Sequence, residues 1–243
     1  MSAQRSFQVA GVDGCKGGWV VAIVETTKDG QYFPQLFVKD DFAAVLAATA
    51  ICKLICVDIP IGLSENSKPR ECDVAARKVL GKFRSSSIFP APIRQCLSTD
   101  DYKTACKISS KYANKKLSRQ SFNIMDKIRQ VDDLMTQELQ QRVREIHPEI
   151  SFWALNNKKT MRHNKRKLSG RNERMKLLTR IFLNAEEIVA EARKPKKVEM
   201  DDILDALVAA WTASQIILQK AQTLPEDPQL DSKDLRMEIV YPA

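Results

Sequence analysis

Apolar residues in this chain fall into short runs, and several of those runs stop on a carboxylate. Phe7 to Val12 is followed by Asp13, and Lys53 to Val57 by Asp58. Runs of this length bounded by turn formers read as buried strands. Gly17 to Val24 predicts a second strand and Tyr32 to Val38 a third, with Lys28-Asp29-Gly30 as the turn between them. Their short links suit an antiparallel meander. Asp40-Asp41 caps a helix through about Ala50, with Phe42, Val45 and Leu46 on one face. Pro69 to Phe83 reads as helix, Ser85 to Leu97 as irregular chain, and about 99–113 and 121–140 as two further helices. A short strand over 142–147 ends at Pro148, and a polar, basic loop covers 156–171. Helices at about 172–193 and 199–221 complete the core; Pro225 to Lys233 reads as linker and Met237 to Val240 as a last strand.

This order predicts an α/β fold with a five-stranded mixed sheet, three antiparallel strands followed by parallel ones. Parallel strands need right-handed crossovers. That requirement puts the fourth strand beside the first and makes Asp13 and Asp58 neighbours on one sheet edge, where open α/β sheets commonly bind ligands. The expected division is a domain over 1–223, carrying a helical insertion at about 68–140, and a tail over 224–243.

Carboxylates at the ends of core strands are costly unless hydrogen-bonded, paired or bound to a cation. Asp202 and Asp205, three apart at the start of the last helix, share one face. Ala206, Ala209 and Ala210 would let that helix approach the sheet closely. Glu145, His147 and Glu149 alternate along the short strand and its exit, which puts Glu145 and His147 on one face. Asp13, Asp58, Glu145, Asp202 and Asp205 are therefore the candidate metal ligands and catalytic acids, and their hard oxygens suit Mg²⁺ or Mn²⁺. Plainer readings stand beside this one: a turn aspartate at 13, a loop cap at 58, helix capping by Asp201 and Asp202, and a Glu145 paired with Arg142 or Arg144.

The 243 residues, 44% of them apolar, suit one large domain. No run approaches the roughly 18 apolar residues of a membrane span, and polar Met1 to Gln8 leads straight into the first strand, so no signal peptide and a cytoplasmic location are expected. Six cysteines without a CxxC pair point to free thiols. The charge of +9 is unevenly spread: residues 68–119 carry thirteen Lys/Arg against four acids, and residues 158–180 carry ten against Glu173 alone. Such surfaces favour a polyanion, nucleic acid first, DNA and RNA being undecided; the plain alternative is a solvated cationic face. Lys16, Arg70, Arg77, Arg84 and Arg94, with Lys165-Arg166-Lys167 in the basic loop, are the candidate substrate contacts.

Five segments together carry a family resemblance: Val9 to Trp19, Val57 to Leu63, Arg70 to Arg77, Glu145 to Glu149 and Asp202 to Leu207. In these the chain resembles the predicted RNase H-like nucleases grouped as domain-of-unknown-function family 429. The resemblance implies an RNase H-like fold. Its last motif looks like the closing helix of Holliday-junction resolvases, where two acids three apart reach the metals. The expectation is a metal-dependent nuclease hydrolysing DNA or RNA phosphodiesters. The alternatives are a non-catalytic nucleic-acid-binding or scaffold protein, and an ATP-dependent phosphotransferase of the actin-like architecture.

Overall fold

β1 (Phe7–Cys15) is buried along nearly its whole length, as a strand covered on both faces must be. It pairs antiparallel with β2 (Gly18–Thr26), which pairs antiparallel with β3 (Tyr32–Lys39). On its other side β1 takes β4 (Leu54–Val57) in parallel, and β4 takes β5 (Val143–Glu145) in parallel. The result is the expected five-stranded mixed sheet, in the order β3-β2-β1-β4-β5. The computed structural model describes residues 6–26, 32–192 and 198–243, so the turn expected at Lys28-Asp29-Gly30 lies outside the described residues.

Helices flank the sheet. α1 (Phe42–Ala48) starts at Asp41, whose side chain accepts from the Ala44 N–H at 2.7 Å. α2 (Glu71–Arg84) follows β4, and its backbone kinks at Gly81, where φ is 62°. Between α2 and β5 come α3 (Tyr102–Ala113), α4 (Arg119–Asn123), α5 (Met125–Leu134) and α6 (Gln137–Gln140). After β5 come α7 (Pro148–Leu155), α8 (Leu168–Leu178), α9 (Ala185–Ala192) and α10 (Met200–Ile217).

Each sheet face has its own core. Val9, Cys56 and Ile146 pack with Ile203, Leu207 and Ala210 of α10 and with Leu178 of α8. On the opposite face Val12, Val57 and Val143 pack with Phe42 and Val45 of α1 and with Ile128 and Val131 of α5. α10 is apolar nearly all round because it is buried nearly all round. Its seat is tight: a Cβ on Gly11 would lie 2.1 Å from both the Ala206 oxygen and the Ala210 nitrogen. Gly11 on the strand and alanines on the helix allow this contact.

Several elements differ from the sequence expectation. The helix expected at 121–140 is three short ones, because Met135 turns extended and Thr136 caps a new start by accepting from the Leu139 N–H. The helix expected at about 172–193 is broken between Leu178 and Ala185, where Phe182 packs into the core instead of continuing a helical face. The expected linker after Pro225 lies within β6 (Ala221–Leu230), which pairs antiparallel with β7 (Arg236–Pro242). Pro225 and Pro228 fall in the register shift between Leu224 and Gln229, where no ladder N–H is required. This hairpin packs through Met237, Ile239 and Tyr241 onto Cys72, Ala76 and Leu80 of α2 and Ile150 of α7. Among the described residues no helix is long and apolar enough to cross a membrane. All six cysteines are free thiols, and five are buried.

Candidate metal centre

Register creates the centre. Val12 pairs with Val57, and the Asp58 N–H donates to the Val12 oxygen at 3.0 Å, so the parallel ladder runs one step past β4. Asp13 and Asp58 therefore stand level on neighbouring strands, on the face that carries Gly11 and α10. Because Gly11 draws α10 down through Ala206, the preceding residue, Asp205, reaches the same point. One carboxylate oxygen each from Asp13, Asp58 and Asp205 lies within 4.8 Å of the others. Three sequence-distant elements thus converge as expected.

Burial and mutual repulsion tune these acids. Asp13 is pushed well above the ordinary aspartate range by burial, then by Asp58 and Asp205, although its Oδ1 accepts from the Gly14 N–H at 2.7 Å. Burial raises Asp58 to about 6, with Lys165 drawing it back and Glu149 adding to it. Asp205 is likewise raised to about 6 by burial, against the pull of Lys165 and with a further push from Asp58. Asp205 is 1% exposed; its Oδ2 accepts from Lys165 Nζ while its Oδ1 is buried without a partner.

Lys165 is the cation of the centre. Burial works against its charge, but Asp205, then Asp13 and Asp58, outweigh that effect and hold the ammonium protonated. The basic loop delivers it, anchored where Gly170 on α8 has no room for a Cβ, which would lie 2.0 Å from the Asn164 oxygen. With all three aspartates ionised, one ammonium leaves two negative charges uncompensated.

Glu149 is the residue that sequence reasoning set aside. It sits in the first turn of α7, and Arg174, fully buried on α8, donates to its Oε1. Its Oε2 is buried and unpartnered, and its charge acts on both Asp58 and Asp205. His147 caps α7, its Nδ1 accepting from the Glu149 N–H at 3.2 Å, and burial lowers its proton affinity toward neutral imidazole. Proline at the first helical position was the available signal: it starts a helix at 148 and turns Glu149 away from the strand's alternation.

Of the other expected residues, Asp202 borders the centre without joining the cluster, and its charge acts on Asp13. Glu145 pairs with Val57, whose side chain points to the α1 and α5 face, so it projects away from Asp13 and Asp58. There its Oε2 accepts from Arg70 and from the Ile61 N–H at 2.7 Å, and Arg70 also reaches Asp73 at 3.4 Å. Cys72, Asp73 and Glu145 form a second cluster of ligand-type atoms, but Arg70 already pairs with both of its carboxylates. Arg70 is 2% exposed and is a structural partner rather than a surface contact. Asp202 is half-buried and closes the capping box of α10, its Oδ2 accepting from the Glu199 N–H at 3.2 Å. Burial, then Asp201 and Asp205, raise it to about 6 against that hydrogen bond. Arg94 is tied to Asp132, Asp231 and Glu65, Arg77 donates to the Ile88 oxygen, and Arg84 to the Met161 oxygen. Lys16, Arg166 and Lys167 are exposed.

No curated protein and no solved structure gives a significant match to the chain. A family model does match, over residues 11–230, a span that takes in Asp13, Asp58, Glu149, Lys165 and Asp205 together. The chain belongs to the family described as proteins of unknown function, DUF429.

Proposed function

We propose that this protein is a divalent-cation-dependent nuclease with an RNase H-like centre, hydrolysing phosphodiester bonds in DNA or RNA. The observation that carries the reading is the convergence of Asp13, Asp58 and Asp205, within 4.8 Å, on the strand-end edge of a mixed sheet. The donor set fits Mg²⁺ or Mn²⁺: it is all oxygen, its three carboxylates when ionised exceed the Lys165 charge by two, and it includes the orphaned Asp205 Oδ1. Asp13, Asp58 and Asp205 would hold the cation, and Glu149, whose charge acts on Asp58 and Asp205, offers a further buried oxygen, Oε2, without a partner. When bound, such a cation polarises a phosphoryl oxygen and acidifies water.

The chain's own residues supply the rest. Arg174 fixes the Glu149 carboxylate, and neutral His147 fixes the start of α7. Lys165 holds positive charge beside the carboxylates, where a phosphate would approach. Arg166 and Lys167, exposed on the same loop, suit sequence-independent backbone contacts. The second reading is a nucleic-acid binder without catalysis. It is favoured by Lys165 itself, which already compensates part of the charge that a cation would neutralise.

The test is cleavage of labelled single-stranded, duplex and branched DNA and RNA with Mg²⁺, Mn²⁺ or EDTA, alongside Asp13→Asn. Metal-dependent cleavage that drops by several orders of magnitude in the variant is expected. Salt-sensitive binding with no cleavage of any substrate selects the second reading, and wild-type turnover in Asp13→Asn removes the first.

A further inference from the structure

One cleft among the described residues lies away from the carboxylates. It holds about 130 Å³ and lies where the start of α2 meets the 90–93 segment and the link from α3 to α4. That is roughly the scale of a cavity that accepts one small ring. Its walls are apolar, formed by Pro69, Val74, Pro90, Pro92 and Leu117. Val74 is 48% exposed there, an apolar surface without a covering partner among the described residues.

The charge around it is one-sided. Lys68, Arg70, Arg77, Lys115 and Lys116 line the cleft, and the only carboxylate among its lining residues is Asp73. Asp73 is already engaged by Arg70 and by the Ala91 N–H at 3.3 Å. Lys68, Arg77, Lys115 and Lys116 have no carboxylate partner among the described residues; Arg77 is fixed through Nε and one Nη on the Ile88 oxygen. Buried Arg70 leaves its Nε without any partner. The walls are braced from behind: Ser109 Oγ donates to the Lys115 oxygen at 2.7 Å, and Ser121 Oγ to the Pro90 oxygen at 2.7 Å.

We infer that this cleft is a second binding site, for a small organic phosphate monoester. The phosphate head would sit among the lysines and Arg77, and a compact apolar or aromatic body against the proline and valine wall. Uncompensated cations around a concave surface focus the field on an anion. The size of the cleft accommodates a head group and one small ring rather than a polymer chain. The inference does not depend on the nuclease reading.

The test is calorimetry of the full chain in EDTA with three probes: phenyl phosphate, inorganic phosphate and a short single-stranded oligonucleotide lacking terminal phosphates. Phenyl phosphate is expected to bind more tightly than inorganic phosphate. Lys115→Ser/Lys116→Ser should weaken it at least tenfold with the thermal midpoint unchanged, and Val74→Asp should weaken it independently. Three results overturn the assignment: no heat with phenyl phosphate at millimolar concentration, binding indifferent to both variants, or a preference for the oligonucleotide, which would make the cleft part of a nucleic-acid surface.

Discussion

Replacing Glu145 with glutamine separates a structural acid from a ligand. Glu145 is 5% exposed and Arg70 2%, and the two form an ion pair completed by the Ile61 N–H at 2.7 Å. Burial pushes the Glu145 carboxyl up, while Arg70, in direct contact, and the Ile61 N–H draw it back toward the ionised form that the substitution removes. Breaking a buried pair by neutralising one partner costs about 3–5 kcal/mol, because the other charge is stranded. Glutamine still accepts from Ile61, and Asp73 at 3.4 Å still compensates part of the Arg70 charge, so the low end, about 3 kcal/mol, is the expected loss. For a chain of this size that is about 6–12 °C in thermal midpoint. Circular dichroism melting measures it, and Mn²⁺ calorimetry on the same preparation supplies the contrast. Glu145 faces the opposite side of the sheet from Asp13, so Mn²⁺ affinity should stay within about twofold, as for independent sites. Asp13→Asn should show the inverse: Mn²⁺ binding lost and the metal-free midpoint unchanged or higher, since the raised Asp13 is a repelled acid. If Glu145→Gln loses Mn²⁺ binding tenfold while melting normally, the assignment by sheet face is wrong.

Gly11→Ala places a methyl 2.1 Å from the Ala206 oxygen; overpacking of this kind costs about 1–3 kcal/mol. Because α10 must shift, Mn²⁺ affinity should fall as well, and a normal melt with normal binding would mean that the helix is not seated as described. Lys165, whose side chain is 35% exposed, faces the three aspartates, and Lys165→Met removes its ammonium; after solvent screening, about 1–2 kcal/mol of metal-free stability should be lost. Mn²⁺ should bind that variant more tightly, and weaker binding would show that Lys165 assists the cation rather than competing with it. For pH, Asp58 and Asp205 sit at about 6 in the folded chain against an ordinary 3.8. The folded state therefore holds more protons on these two groups across that interval, and their contribution to metal-free stability falls as pH rises from about 4 to about 6, then levels off. Melts of wild type and Asp205→Asn between those values check the sign; a wild-type advantage that grows with pH contradicts it.

Much of the fold was legible because two periodicities are strong in this sequence. Fully apolar strands such as Leu54–Val57 announce burial on both faces, and the crossover rule then leaves β4 little choice but to lie beside β1. The alanines of α10 forecast the close contact that brings Asp205 to the sheet, and Gly11 supplies its other side. The C-terminal hairpin was hidden because its prolines argue against a strand, and only the pairing with β7 shows that they occupy a bulge.

Glu145 shows the limit most clearly. Alternation along one strand says which residues share a face, but not which face belongs to which neighbour; that depends on register between strands, where a slip of one residue exchanges the two sides. Asp13 and Asp58 escaped the ambiguity because both follow residues paired with each other, Val12 and Val57. Glu145 pairs with Val57 itself, one step earlier, and so joins the opposite core. The basic residues failed for a related reason. Charge counting cannot separate a free cation from a committed one, and Arg70 and Arg94 already have carboxylate partners, from residues as distant in sequence as Glu145 and Asp231. Among the cations without a carboxylate partner in the described residues are Lys68, Lys115 and Lys116 around one cleft and Arg166 and Lys167 on the loop that carries Lys165. The net charge of +9 that the sequence presents as a single property thus divides into cations committed to buried ion pairs and cations left exposed in separate places.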